Sequence, residues 1–268
     1  MRLRVGFLGM ADNLSTRVIV IELARLGRPL DVVFVQHAGV RAQWRRVIRK
    51  LRAAGPGATL QRVALAVKCQ LQLPAASVGV HPIPWPATVH HVGDVNAEES
   101  RRQIRGEQLD LLLIVTDSML GRGTFSIPRL GTLNAHPGWL PRYRGLGSTL
   151  CMLRDGVSPA ISVHIVDEGV DTGPVLVREP VDPNVALEGI AADLACYREQ
   201  ARMFAKAITL FELGQAIPID TFLEPSSMAR ALSAAEARAI YAALRREGPP
   251  KLTLPKGPQG TSAPASVP

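Results

Sequence analysis

The sequence predicts an α/β fold: a mostly parallel sheet with helices on both faces, followed by a short helical C-terminal extension. Three observations predict it. Short apolar runs alternate with segments of helical spacing. The run 109–115 is apolar almost throughout, apart from Asp110, as suits a strand covered on both faces. A long, mostly helical stretch over 191–213 closes the alternating unit.

In chain order, residues 3–8 and 30–35 are short apolar runs. Between them, 17–26 has helical apolar spacing and ends at Gly27. Strand, loop, helix, strand is the opening of a parallel sheet. Residues 103–108, with the polar segment before them, read as the helix preceding the strand 109–115. Two further strands are expected at 131–136 and 161–166. This order describes a Rossmann-like sheet. After about residue 215 the character changes. Ser233-Ala-Ala-Glu236 is a capping box that opens a helix running to about Arg246, and Gly248-Pro249-Pro250 ends it. Residues 249–268 hold few large apolar groups and are expected to be disordered. The organisation is thus a catalytic-type unit over 1–213, a helical extension over 214–248 and a tail over 249–268.

The 268 residues are 47% hydrophobic and 20% charged, which excludes collagen-like, coiled-coil and mostly disordered classes. No run approaches eighteen apolar residues, so no membrane partner is expected. The first ten residues lack the longer apolar core of a signal peptide, and a cytoplasmic protein is expected. Cys69, Cys151 and Cys196 are odd in number and widely spaced, against a disulfide framework or a Cys-x-x-Cys metal site. His90 and His91 would point apart on a strand, and no metal is expected.

Charge is unevenly placed. Residues 1–55 hold 11 Lys+Arg and 3 Asp+Glu, a net +8, while the remaining 213 residues are neutral. The densest stretch, 41–52, sets Trp44, Val47, Ile48 and Leu51 at helical spacing with cations opposite. It reads as a solvated surface helix or as a patch for a phosphate-bearing partner such as RNA.

Residues 131–176 carry the functional information. The first part reads Gly131-Thr-Leu-Asn-Ala-His-Pro-Gly-Trp-Leu-Pro-Arg-Tyr-Arg-Gly145, and the second Val163-His-Ile-Val-Asp-Glu-Gly-Val-Asp-Thr-Gly-Pro174. Asn134 and His136 are two apart at a strand end, so both face one side. Pro137 holds His136 in an extended backbone. An amide donor beside an imidazole suits a carbonyl whose oxygen becomes negative, and the imidazole can move a proton near neutral pH. Glycines around Asp171 allow a tight loop that could bring its carboxylate to an imidazole and favour the imidazolium. Acyl-type transfer without a covalent nucleophile is one reading. Residue types alone favour the other, a buried, satisfied histidine and a turn-capping aspartate.

The double motif, Asn-Ala-His-Pro-Gly-Trp-Leu-Pro-Arg-Tyr-Arg-Gly followed by Asp-Glu-Gly-Val-Asp-Thr-Gly-Pro, closely resembles the signature of the folate-dependent formyltransferases. The likeness spans about 1–213 and is densest over 109–180. It implies that Asn134, His136 and Asp171 match the family's catalytic trio. It implies 10-formyltetrahydrofolate as formyl donor and an amine as acceptor. Ser118, Met119 and Leu120 match the loop that contacts the pterin, and Val166, Asp167, Glu168, Gly169 and Val170 match a second loop that offers it backbone groups. His164 matches a histidine of some branches, serving the acceptor side or held in the strand. Arg142, Tyr143 and Arg144 read as loop-shaping residues.

Departures narrow the acceptor. Gly138-Trp139-Leu140 stands where the family more often has Ser-Leu-Leu, so Trp139 is a candidate for the acceptor mouth. The first loop, 9–17, lacks the clustered glycines of the glycinamide ribonucleotide enzymes. The 55 residues after the unit are short for a tRNA-binding domain. A small-molecule amine such as an amino-sugar nucleotide is therefore the expected partner. A methionyl-tRNA formyltransferase-like enzyme, with tRNA as nucleic-acid partner, is the first alternative, and a formate-releasing hydrolase of the same folate is the second. A homodimer is left open.

Overall fold

The computed structural model describes residues 2–11, 14–37, 85–116, 118–182, 190–222, 224–230, 232–248 and 253. Among them, seven strands form one sheet: β1 (Val5–Met10), β2 (Val32–Gln36), β3 (Thr88–Val92), β4 (Leu111–Val115), β5 (Gly131–His136), β6 (Ala160–Ile165) and β7 (Val175–Pro180). Their order is β3-β2-β1-β4-β5-β6-β7. The first five run parallel, and β6 and β7 run antiparallel to their neighbours. The helices are α1 (Leu14–Arg25), α2 (Glu98–Gly106), α3 (Arg122–Phe125), α4 (Ser148–Arg154), α5 (Ile190–Glu212) and α6 (Ala234–Glu247).

Alternation along the strands explains the two layers. Phe7, Leu111, Leu113 and Leu133 point into one core with Ile19 and Leu23 of α1 and Phe204 and Ile208 of α5. Leu8, Leu112 and Ile114 point into the other, with Ile104 of α2. A strand whose successive side chains all meet a helix must be apolar throughout, and β4 is. Each side chain fully buried this way contributes about 1.5–3 kcal/mol. The expected Rossmann-like sheet with helices on both faces is present.

Each element expected from the sequence appears within a few residues, and 131–136 appears with the expected ends. The strand β3 breaks the apolar pattern with two histidines, which do point apart. His90 stacks on Phe34 and pairs with Glu107 at 2.6 Å, while His91 meets His37 at 2.7 Å. The capping box at Ser233 and Glu236 is formed in both directions.

The extension runs along the β7 edge. Ile219 N–H donates to the Val175 carbonyl, and Leu244 of α6 packs on Leu153 of α4. Thr253 pairs with Val157. The basic segment 41–52 and Cys69 lie outside the described residues, as does the tail apart from Thr253. No helix among the described residues is long and apolar enough to cross a membrane.

Candidate active site

β5 ends in Asn134, Ala135 and His136, and the two polar side chains emerge on one face. Gln200 of α5 steadies this end by donating to the Ala135 carbonyl at 2.6 Å. The antiparallel register sets His164 of β6 opposite Asn134. Asp171 comes from the loop between β6 and β7. Its φ of 52° is left-handed, which aspartate tolerates better than most residues. Gly173 lets that loop close, because a Cβ there would sit 1.8 Å from the Ile165 carbonyl oxygen.

The loop brings the Asp171 carboxylate between three side chains. Its Oδ2 lies 3.3 Å from His136 Nδ1. Its Oδ1 accepts from Asn134 Nδ2 at 3.2 Å and lies 3.4 Å from His164 Nε2. The second hydrogen of the Asn134 amide is directed at His164 Nε2, 3.2 Å away. His164 Nδ1 meets the Ile165 carbonyl at 3.0 Å, which requires its hydrogen there.

A second loop, residues 137–147, closes over His136. Tyr143, itself left-handed at φ 56°, turns its carbonyl to His136 Nε2 at 2.8 Å. A carbonyl only accepts, so Nε2 carries the hydrogen. Gly145 N–H donates to Asp171 Oδ2 at 2.9 Å. Gly138 leaves room for the imidazole: a Cβ would stand 2.4 Å from Nε2 and 2.7 Å from the Tyr143 carbonyl oxygen. Ser162, fully buried on β6, ties the loop down by donating to Gly138 C=O and accepting from Leu140 N–H.

Burial governs the charges. It is the largest influence on His136 and pulls its pKa below the usual value, and the nearby His164 adds to the fall. Asp171 and the Tyr143 carbonyl pull the other way without overcoming burial. The imidazolium expected beside a carboxylate is therefore corrected to a neutral ring, because desolvation outweighs pairing. Burial also acts on Asp171, upward, but the His164 contact, the His136 ring and the Gly145 N–H bring it down to about 2. At neutral pH the site holds a carboxylate against a neutral imidazole whose Nδ1 faces it. Such an imidazole can take up a proton, and the carboxylate stabilises the cation formed.

The loops expected to meet the pterin lie together. Ser118 exchanges hydrogen bonds with Gln36, and Met119 has its carbonyl held by Asn96. Leu120 is buried in a core cluster, and Val166 packs against the same cluster. Asp167 folds its own loop, accepting from Gly169 N–H and Thr172 Oγ1. Glu168 faces Arg122 at 3.6 Å. Met119 and Val170 stay exposed, at 56% and 38%.

Residues 89–200, which contain the trio and both loops, match the formyl transferase family. A methionyl-tRNA formyltransferase of Syntrophomonas wolfei is 33% identical over 108 residues, 38% of this chain and 34% of that protein. The chain thus spans about a third of that relative's length. Among solved structures, glycinamide ribonucleotide transformylase 1 from Symbiobacterium toebii superposes with a TM-score of 0.50 at 21% identity, covering 81% of this chain and 91% of that one. A sugar N-formyltransferase from a Shewanella species superposes with a TM-score of 0.52 at 11% identity, covering 88% and 86%. These two likenesses show the fold.

Several contacts of the site escape sequence reading. Ser162 sits in an otherwise apolar strand, and Tyr143 and Gly145 contribute backbone groups, which leave no mark on residue type. Trp139 lies under the Arg178 guanidinium, 4.6 Å from it, and packs against the cluster of Cys151, Met152 and Val157. No group of three metal-ligating side chains occurs among the described residues.

Proposed function

We propose that the chain is an N-formyltransferase that moves a formyl group from 10-formyltetrahydrofolate to the primary amine of a small molecule, such as an amino-sugar nucleotide. The observation that supports this most is the Asp171 carboxylate set against both Asn134 and His136 inside the region that matches the formyl transferase family. When bound, the folate supplies an activated formyl carbonyl between the loops 118–120 and 166–170.

When substrate is bound, the Asn134 hydrogen directed at His164 Nε2 turns to the formyl oxygen and donates to it as that oxygen becomes negative. His136 Nδ1 and Asp171 accept the proton that the amine gives up as its nitrogen bonds to the formyl carbon. The proton then goes to the folate nitrogen as the bond from that nitrogen to the formyl carbon breaks. His164 Nε2 accepts that amide hydrogen from Asn134 until the formyl oxygen takes it.

The match to methionyl-tRNA formyltransferases favours a second reading, in which the amine is that of a charged tRNA. One experiment tests both. Purified protein is incubated with 10-formyltetrahydrofolate and a panel of amino-sugar nucleotides, glycinamide ribonucleotide, amino acids and charged initiator tRNA. Formylated product is sought by mass spectrometry, with Asn134→Ala as control. Turnover with an amino-sugar nucleotide supports the first reading, and turnover only with tRNA replaces it by the second. Formate release without any acceptor points to a hydrolase.

A further inference from the structure

The loop that touches His136 and Asp171 does not stand alone. Two of its residues reach the site through their backbones, Tyr143 by its carbonyl and Gly145 by its N–H. The residue between them, Arg144, is paired on its outer side by the extension. Arg144 N–H donates to Ser227 C=O at 3.0 Å, and Ala229 N–H donates to Arg144 C=O at 2.7 Å. Nearer the loop's start, Arg178 of β7 donates to the Leu140 carbonyl. The same guanidinium grips Glu224 of the extension with two bonds of 2.8 Å. The two side chains are 11% and 14% exposed. Trp139 closes over the guanidinium.

We propose that the Glu224–Arg178 ion pair fixes the loop in the geometry that His136 and Asp171 need, so that Glu224 and Arg178 are positioning residues for the transfer. The inference rests on the proposed formyl transfer for its kinetic consequence, but not for its structural one. Arg178 contacts one end of the loop directly. Glu224 holds that guanidinium in plane and anchors the chain three residues before Ser227, where pairing with Arg144 begins. A fork-to-fork pair of this kind sets direction as well as distance. Released, the loop would let the Tyr143 carbonyl leave His136 Nε2 and free Ser148 Oγ, 3.2 Å from the same nitrogen, from the Gly145 carbonyl it donates to, so the ring would no longer be held with its hydrogen on Nε2.

Glu224→Gln tests this. The first readout is the ring 15N spectrum of His136 in protein labelled at histidine, assigned with His136→Gln. The unaltered protein is expected to show the proton fixed on Nε2. Folded Glu224→Gln is expected to move both ring signals toward the average of the two tautomers. The second readout is kinetic: kcat falls about tenfold while KM for the folate stays within about twofold, as misplacement of a catalytic group would give. Unmoved ring signals in a folded variant overturn the proposal, whatever the activity does. If Glu224→Gln does not fold, Arg178→Lys takes its place, since it keeps the charge and loses the fork, and unmoved signals there overturn the proposal equally. If no amine is formylated by the unaltered protein, the proposed function fails, while the ring signals still decide the role of the pair.

Discussion

Asp171 and His136 meet with a carboxylate oxygen 3.3 Å from a ring nitrogen whose partner nitrogen is already committed to the Tyr143 carbonyl. The carboxylate therefore faces the basic edge of the ring and stabilises it once protonated. Asp171→Asn keeps the shape and removes that charge. It is expected to lower formyl transfer about a hundredfold or more, the usual worth of a general acid–base element. Binding of the folate, followed by fluorescence quenching, should change little. Full transfer activity in this variant would remove Asp171 from the mechanism.

Stability should fall with acidity in two stages. His136 is held below its ordinary 6.5, so the unfolded chain binds more protons than the folded one below that pH, and stability drops as pH falls past 6.5. Asp171 is held at about 2 against an ordinary 3.8. Its contribution is present above 3.8 and is lost as pH falls from there through 2, and amounts to roughly 2 kcal/mol. Urea denaturation across this range should show both stages. His136→Gln should weaken the first, and Asp171→Asn should shrink the second, to which Glu107, Asp110, Asp155, Glu179 and Glu236, also held low, contribute. An Asp171→Asn curve parallel to the unaltered one below pH 4 would contradict the assignment.

Gly173→Ala bears on how Asp171 is delivered. The added methyl would lie 1.8 Å from a backbone oxygen of Ile165, which cannot swing away as a side chain can. The strand end or the loop must shift, at a cost of about 1–3 kcal/mol. Both stability and activity are expected to fall together. A melting temperature unchanged from the unaltered protein would show that the loop has slack.

Much of this was legible in the residues, for reasons that differ by element. β4 shows itself because burial on both faces demands continuous apolar residues. β7 does not, because its outer half, Arg178 and Glu179, is satisfied by Glu224, Arg202 and Lys206, all distant in sequence. The short α4 carries too few turns to show a period. Within the site, the spacing of two sets Asn134 and His136 on one face, but residue types alone favour a satisfied histidine and a turn-capping aspartate, and it is the resemblance of the double motif that singles out the three. The charge on His136 is not readable, since it depends on burial, which the packed loop 137–147 supplies. Arg178 and Glu224 are unreadable for a related reason: each is an ordinary surface-type residue until the extension folds back.

Gly138→Ala isolates the space that the imidazole occupies. The new methyl would fall 2.4 Å from His136 Nε2 and 2.7 Å from the Tyr143 carbonyl oxygen, so it lands on both partners of one hydrogen bond. The ring and the carbonyl cannot both keep their places. Ser162 holds Gly138 and Leu140 from beneath, so the loop has little room to retreat as a body. The ring must therefore turn away from Asp171. Transfer is expected to fall at least about tenfold, as displacement of a catalytic group by a fraction of an ångström would give. Folding stability should fall by only about 1–3 kcal/mol, leaving a folded protein to assay. A variant with ordinary kcat and a crystal structure showing His136 in place would mean that the loop, and not the ring, absorbs the methyl.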